Sequence, residues 1–170
     1  LMKTVIHYGP IALEEPENYE ARANLMWSSS LALNHILTVG KGGAWSCHPI
    51  EHELSAYYDI THGEGLAIVT PAWMKAVLCD TTVERFAMFG RNVWDITEGD
   101  SREIAEKAIE KTAEFFKSLG LPSTLKEVGI SSEKFEEMAE EAVRTSGIAV
   151  RSYYHLDKED IVKIYESCAE

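Results

Sequence analysis

Helical periodicity constrains the fold of this chain more than any other feature. Within residues 101–119, apolar side chains recur three or four positions apart, and glutamates and lysines occupy most of the positions between them. This spacing gathers the apolar residues on one face of a helix. Asp100 and Glu103 have the spacing of an N-terminal capping box, and Gly120 and Pro122 follow the segment. The pattern predicts a helix over residues 101–119.

The same periodicity recurs along the chain, with no convincing pair of strands, and predicts the class all-α. The other predicted helices span residues 17–37, 49–58, 63–78, 82–94, 132–145 and 158–168. Apolar residues within 1–8 indicate a helix that is already under way at the start, and glycines within 39–43 are expected to end the next one. Pro71 predicts a kink near Val69 or Thr70. Residues 148–156 are expected to form a loop or a short extended piece.

Composition limits the partners of the chain. Its 170 residues have a formal net charge of -12, so the clustered cationic surface that a nucleic acid requires is not expected. No apolar stretch approaches the roughly 18–20 residues that cross a bilayer, and the first residues do not resemble a signal peptide. We expect no nucleic-acid partner and no membrane. Cys47, Cys79 and Cys168 are odd in number and widely spaced, which favours a reducing cytoplasm over a disulfide framework.

Three of the six histidines lie within HPIEHELSAYYDITHG, residues 48–63. His48 and His52 are four residues apart, so both imidazoles project from one helix face with Cβ atoms about 5–6 Å apart. On a continuous helix His62 would lie about 21 Å from His48, whereas two ligands of one metal ion are at most about 4 Å apart. A shared site therefore requires a chain reversal between Tyr58 and His62, in a segment that suits a turn.

Two other interpretations of these residues stay open. HPIEH matches the H-x-x-E-H signature of zinc hydrolases, in which His48 and His52 would bind zinc and Glu51 would activate water. Pro49 disfavours this, because it places His48 at the edge of the helix. Alternatively, the histidines are structural and the chain is a non-catalytic helical interaction module. Glu51 and its acidic neighbours are as readily a solvated face as ligands. No G-x-G-x-x-G or G-x-x-x-x-G-K-[ST] motif occurs that would hold a dinucleotide or triphosphate.

The stretch CHPIEHELSAYYDITHGEGLAIVTPAWM resembles the signature of the iron-containing alcohol dehydrogenases, especially their butanol-dehydrogenase-like branch. The H-x3-H-x9-H-G spacing is its most specific part, and the segments EPENYEARANLMWSSSLALN, LPSTLKEVGI and KEDIVKIY resemble the helical domain of that family. The likeness extends over nearly the whole chain. It implies that residues 1–170 form a single helical metal-binding domain, like the C-terminal domain of dehydroquinate-synthase-like and iron-containing alcohol dehydrogenases.

The resemblance also implies roles for the histidines. His48 and His62 would bind the metal, Fe²⁺ or Zn²⁺, and His52 would stand near the nicotinamide, in a proton relay. The other two metal ligands of the family, an Asp and a His, would precede Leu1, since no D-x3-H occurs before His48. NAD(H) or NADP(H) would be bound mainly by a nucleotide-binding α/β domain that is also N-terminal to this chain.

We therefore expect the chain to be part of a longer polypeptide that interconverts small primary alcohols and aldehydes. A homodimer is expected by family analogy. By itself the chain should bind metal weakly and show no dehydrogenase turnover, because two histidines fall short of the three or more protein ligands that catalytic metal centres use.

Overall fold

The computed structural model describes residues 1–40 and 45–170, and every regular element within these ranges is a helix. The predicted all-α class is confirmed. The chain divides into two compact units, Leu1–Gly43 and Ala44–Glu170. The assignment of all 170 residues to one domain stays a prediction. Among the described helices, none is both long enough and apolar enough to cross a membrane.

The first unit contains two α-helices, α1 (Met2–Glu14) and α2 (Tyr19–Leu33), and a 3₁₀ turn at Ile36–Thr38. The first helix continues through Pro10 to Glu14, beyond the eight residues in which the apolar pattern indicated it. The second begins later than predicted because Asn18 caps it, its side chain accepting a hydrogen bond from the Ala21 amide at 3.0 Å. It also ends earlier, and the glycines expected to end it lie partly outside the described residues.

The second unit contains the remaining α-helices, which match most of the predicted segments. They are α3 (Cys47–Tyr58), α4 (His62–Ala76), α5 (Val83–Val93), α6 (Ser101–Ser118), α7 (Phe135–Ser146), α8 (Ile148–Arg151) and α9 (Lys158–Ser167). Short 3₁₀ turns occur at Lys126–Val128 and Ser132–Lys134. The predicted bounds of α5, α6 and α9 are confirmed to within one residue at each end, and α6 has the predicted capping box between Asp100 and Glu103.

Helix α3 begins at Cys47 rather than at Pro49, so His48 is helical. Residues 148–151 form the single-turn helix α8, where a loop or an extended piece was expected, because Gly147 ends α7 in the left-handed region with φ 74° and the chain resumes helical geometry at once. Helix α4 passes through Pro71, and a kink near Val69 or Thr70 stays a prediction.

The core of the second unit forms where α3, α4, α7 and α9 meet. Helix α3 packs on α4 and α7, and α9 packs on the same two helices. The side chains at the centre are at most 1% exposed, among them Ile50, Leu54, Met138, Ile161 and Tyr165. The Tyr165 hydroxyl donates a hydrogen bond of 2.6 Å to the Ile50 carbonyl, which joins α9 to the first turn of α3. This core therefore supports the helix on which two of the three histidines lie.

Candidate metal centre

Helix α3 presents two of the predicted histidines on one face. Ser46 occupies the N-cap, so Pro49 lies in the first turn, where a backbone N–H has no helical partner to lose. The predicted helix start at Pro49 is therefore wrong by two residues, and His48 lies in the first turn rather than at or before the N-cap. His48 and His52 follow one another by one turn, and their ring centroids are 5.8 Å apart.

A tight turn then brings the third histidine back to the first two. Asp59 ends α3 in the left-handed region with φ 53°, a conformation that Asp tolerates better than most residues, and its N–H donates to the Ser55 carbonyl at 3.0 Å. Thr61 precedes α4, which begins at His62. The His62 ring centroid lies 5.3 Å from that of His48 and 5.6 Å from that of His52. The predicted chain reversal is confirmed.

The three imidazoles differ in their surroundings. His48 is half-buried beside the Trp45 ring, with centroids 4.4 Å apart and planes at 85°. Burial, and then the neighbouring imidazoles of His62 and His52, lower the pKa of His48. His52 and His62 are exposed. A lowered pKa keeps the His48 imidazole neutral at pH 7, which is the form that binds a metal ion.

His48 and His52 also line a groove of about 680 Å³. Trp45, Glu53 and, from α7, Thr145 also line it. A metal ion held by the histidines would therefore stand next to an open space in which a small molecule fits.

Glu51 is the residue at this site that the sequence interpretation missed. The sequence left it open whether Glu51 is a ligand, a base or part of a solvated acidic face, and its side chain is completely buried. The Ser55 hydroxyl donates to Glu51 Oε1 at 2.6 Å, and Glu51 Oε2 contacts His62 Nδ1. A signal existed in the sequence: Glu51 falls on the same helix stripe as Leu54 and Tyr58, where an apolar side chain is the usual choice.

Gly65 explains how α4 approaches Glu51 so closely. A Cβ at this position would lie 2.8 Å from both Cγ and Oε1 of Glu51, a distance that real Cβ contacts do not tolerate. The first turns of α4 therefore lie directly over the buried carboxylate, and the glycine leaves the space that the carboxylate fills.

The cluster contains the donor types that transition metals prefer. Ligand atoms of Glu51, His52 and His62 all lie within 4.8 Å of one another, and His48 adds its ring beside His62. Imidazole and carboxylate donors suit iron and zinc. The structure thus brings His48, His52 and His62 together as predicted, while their individual roles stay predictions.

The same geometry disfavours a zinc hydrolase. Both His48 and His52 do lie on the regular helix that an H-x-x-E-H site requires. Glu51, however, would have to activate a water molecule, and its two oxygens are buried against Ser55 and His62. A carboxylate in that position is not accessible to a substrate water.

Comparison with known proteins shows the family of the chain. The model described as "Fe-containing alcohol dehydrogenase family, C-terminal" matches residues 1–169. The NADH-dependent butanol dehydrogenase A of Clostridium acetobutylicum is 54% identical over 167 residues, a match that covers 98% of this chain and 43% of that protein. The NADPH-dependent aldehyde reductase of Escherichia coli is 40% identical over 131 residues, which cover 76% of this chain and 33% of that protein.

A solved structure agrees with these matches. The crystal structure of NADH-dependent butanol dehydrogenase A from Thermotoga maritima superimposes with a TM-score of 0.89 at 38% identity, over 99% of this chain and 44% of that one. This all-helical chain, whose histidines meet at the corner between two helices, therefore belongs to the iron-containing alcohol dehydrogenase family. It spans less than half the length of these relatives.

Proposed function

We propose that this chain provides the metal-binding helical part of an NAD(P)-dependent oxidoreductase that interconverts primary alcohols and aldehydes. The observation that supports this most directly is the convergence of His48, His52 and His62 at the α3–α4 corner, with ring centroids 5.3–5.8 Å apart. Relatives named as butanol dehydrogenases and as an aldehyde reductase supply the reaction class.

We assign His48 and His62 as metal ligands, with Fe²⁺ the first candidate and Zn²⁺ the second. When bound, such an ion supplies Lewis acidity at the substrate oxygen. The neutral His48 imidazole offers a nitrogen lone pair, and Trp45 against its ring restricts the ring orientation. His52 is exposed and borders the groove, so it can face the nicotinamide and pass a proton between substrate and solvent.

We further propose that NAD(H) or NADP(H) is bound mainly outside this chain, by an N-terminal nucleotide-binding domain. The relatives that match nearly all of the chain are more than twice its length. A homodimer remains the oligomeric state expected from the family. Cys47, Cys79 and Cys168 are all free thiols, which supports a reducing compartment such as the cytoplasm.

Metal titration of single-histidine variants tests the ligand assignment. Co²⁺ reports on the site through its visible spectrum and can be titrated into the wild-type chain, His48→Ala and His62→Ala. We expect both substitutions to weaken Co²⁺ binding, because each removes one of two proposed ligands. His155→Ala is the matched control, since His155 is an exposed histidine outside the cluster. Equal affinities in all four proteins would overturn the assignment.

Turnover by the isolated chain provides an independent check. After loading with Fe²⁺ or Zn²⁺, the chain is mixed with NADH and butyraldehyde, and NADH absorbance is followed. We expect no oxidation above the rate without protein, since the nucleotide site and further ligands are proposed to lie elsewhere. Metal-dependent NADH oxidation would contradict the proposal that the nucleotide site and the further metal ligands lie outside this chain.

A further inference from the structure

Glu51 has contacts that the proposed metal ligands do not explain. We propose that Glu51 is a positioning residue that fixes the orientation and the tautomer of the His62 ring, with Ser55 holding the carboxylate in place. This inference rests on the proposed function, because it concerns how His62 is prepared for a metal ion.

The contacts of the carboxylate divide between two helices. Oε2 contacts Nδ1 of His62, the first residue of α4, while Oε1 accepts the hydroxyl hydrogen bond of Ser55 on α3. The Ser55 hydroxyl is also 3.2 Å from the Ile60 carbonyl in the intervening turn. One buried group thereby links α3, the turn and the start of α4 at the histidine that the turn delivers.

Burial restricts which groups can contact the Glu51 carboxylate. The Glu51 side chain is 0% exposed, and a buried carboxylate without donors is strongly unfavourable. Ser55 donates to Oε1, whereas Oε2 accepts no hydrogen bond from the described residues and lies against His62 Nδ1, which is placed to satisfy it when that nitrogen carries a proton. Gly65 contributes by leaving the carboxylate its space.

The chemical consequence concerns the other nitrogen of His62. When Nδ1–H donates to the carboxylate, the proton is held at Nδ1 and the Nε2 lone pair remains available to a metal ion. Carboxylate–histidine–metal arrangements of this kind are common, and the carboxylate fixes the orientation and the tautomer of the ring. Glu51 itself is less suited to be a ligand, because Oε1 accepts the Ser55 hydrogen bond and the buried Oε2 lies against His62 Nδ1.

Three variants separate this role from simple charge or packing effects. Glu51→Leu removes the acceptor and refills the buried volume with an apolar side chain, and Glu51→Gln keeps one acceptor oxygen. Glu64→Gln is the matched control, since it makes the same change of charge two residues after His62 on the partly exposed first turn of α4. Circular dichroism checks that each variant folds.

The first readout needs no metal. Nitrogen-15 NMR of the metal-free chain, at a pH at which imidazoles are neutral, gives the tautomer of His62. We expect the Nδ1–H tautomer in the wild type and in Glu64→Gln, most of it retained in Glu51→Gln, and the mixture of a free imidazole in Glu51→Leu. A His62 tautomer that is unchanged in Glu51→Leu would overturn the proposal, whatever happens to metal binding.

The second readout is Co²⁺ affinity. Loss of a carboxylate behind a ligating histidine typically weakens binding by about 10–100-fold, and this is expected for Glu51→Leu but not for Glu64→Gln. If Glu51→Leu does not fold, Glu51→Gln decides, with an expected loss of about threefold or more because a neutral acceptor binds N–H less strongly. If His62→Ala leaves the affinity unchanged, the metal site itself fails; if His62→Ala weakens it and Glu51→Leu does not, only the positioning role is overturned.

Discussion

The corner between α3 and α4 and the start of α6 each place a glutamate against a glycine, yet they are built differently. A Cβ on Gly65 would lie 2.8 Å from Oε1 of Glu51, and one on Gly99 would lie 2.7 Å from Oε2 of Glu103. Glu103 is exposed and accepts a hydrogen bond from the Asp100 amide, three residues away. Glu51 is buried and contacts His62 on the next helix.

The difference shows how the range of an interaction determines its consequences. The capping box at α6 closes within one helical turn and stays in water, where a hydrogen bond contributes little net free energy. Glu51 is held by residues on two helices and has no water to replace a lost partner. We therefore expect large effects where burial across helices is disturbed and small effects where only the local cap is altered.

Thiol reactivity should show the largest contrast between a buried and a locally structured site. Burial in the core raises the pKa of Cys168 to about 12, whereas hydrogen bonds from Thr81 and Thr82 lower the pKa of Cys79 from its ordinary value of 9. At pH 8 the thiolate fractions then differ by about a thousandfold or more. We expect iodoacetamide to modify Cys79 first, as followed by mass spectrometry of peptides. Equal modification rates of Cys79 and Cys168 in the native chain would contradict the burial of Cys168. In urea the two rates should become equal.

Alkaline stability follows from the same buried thiol. The pKa of Cys168 is raised in the fold, so the neutral thiol contributes stability that is complete below about pH 9 and is lost as the pH rises toward about 12. We expect the free energy of unfolding, measured with urea, to fall over this range. The fall should be smaller in Cys168→Ala than in the wild type, and the same slope in both would show that the thiol does not titrate as proposed.

Substitution of Gly65 should break the α3–α4 corner. In Gly65→Ala the new methyl group would overlap Glu51, and overpacking of this kind costs about 1–3 kcal/mol. Gly63→Ala is the matched control, because nothing lies within 4 Å of a Cβ there. Alanine in a helix is favoured over glycine, so this control should be neutral or stabilising by up to about 1 kcal/mol. Equal urea midpoints for the two variants would rule out the close approach.

Loss of the α6 cap should have an intermediate effect. Asp100 accepts hydrogen bonds from the Arg102 and Glu103 amides at 2.8 and 2.9 Å. Asp100→Ala leaves these donors to water and should lower the free energy of unfolding by about 1 kcal/mol. Glu106→Ala, an exposed change within the same helix, serves as the control. If Asp100→Ala lowered the free energy of unfolding as much as Gly65→Ala is expected to, the proposed difference between a local cap and a buried contact across helices would be wrong.

The smallest effect is expected from neutralising the other half of the capping box. Glu103→Gln keeps an acceptor for the Asp100 amide and loses a negative charge at the N-terminus of α6. The cost should be about 0.3–1 kcal/mol at low ionic strength and should diminish with added salt. Thermal unfolding at two salt concentrations measures this. A loss that salt does not change would indicate an interaction other than charge with the helix end.

Sequence reasoning succeeded where the physics is local. The capping signals at Asp100 and the periodicity of residues 101–119 located α6 to within one residue. The three-residue segment before His62 suited a turn, and the turn is there. The start of α3 was misplaced because Pro49 was taken as the first helical residue, although proline is tolerated anywhere that helical amides have no partner. The one-turn helix α8 depends on how Gly147 redirects the chain.

The partners of the buried carboxylate were beyond that reasoning. From the sequence alone Glu51 could be a ligand, a base or part of a solvated face, because its neighbours in sequence do not show what covers it. The deciding contact comes from α4, where Gly65 lets the helix approach and the His62 ring lies against the carboxylate.

The sequence by itself determined the all-helical class and the family to which the chain belongs. It also determined the spacing of His48, His52 and His62. Periodicity, caps and turns depend on residues within one or two helical turns of one another, so they can be recognised in the sequence. Only the tertiary structure decided that the histidine rings meet and that Glu51 stands behind one of them, because burial and the choice of hydrogen-bond partner depend on which helices pack together.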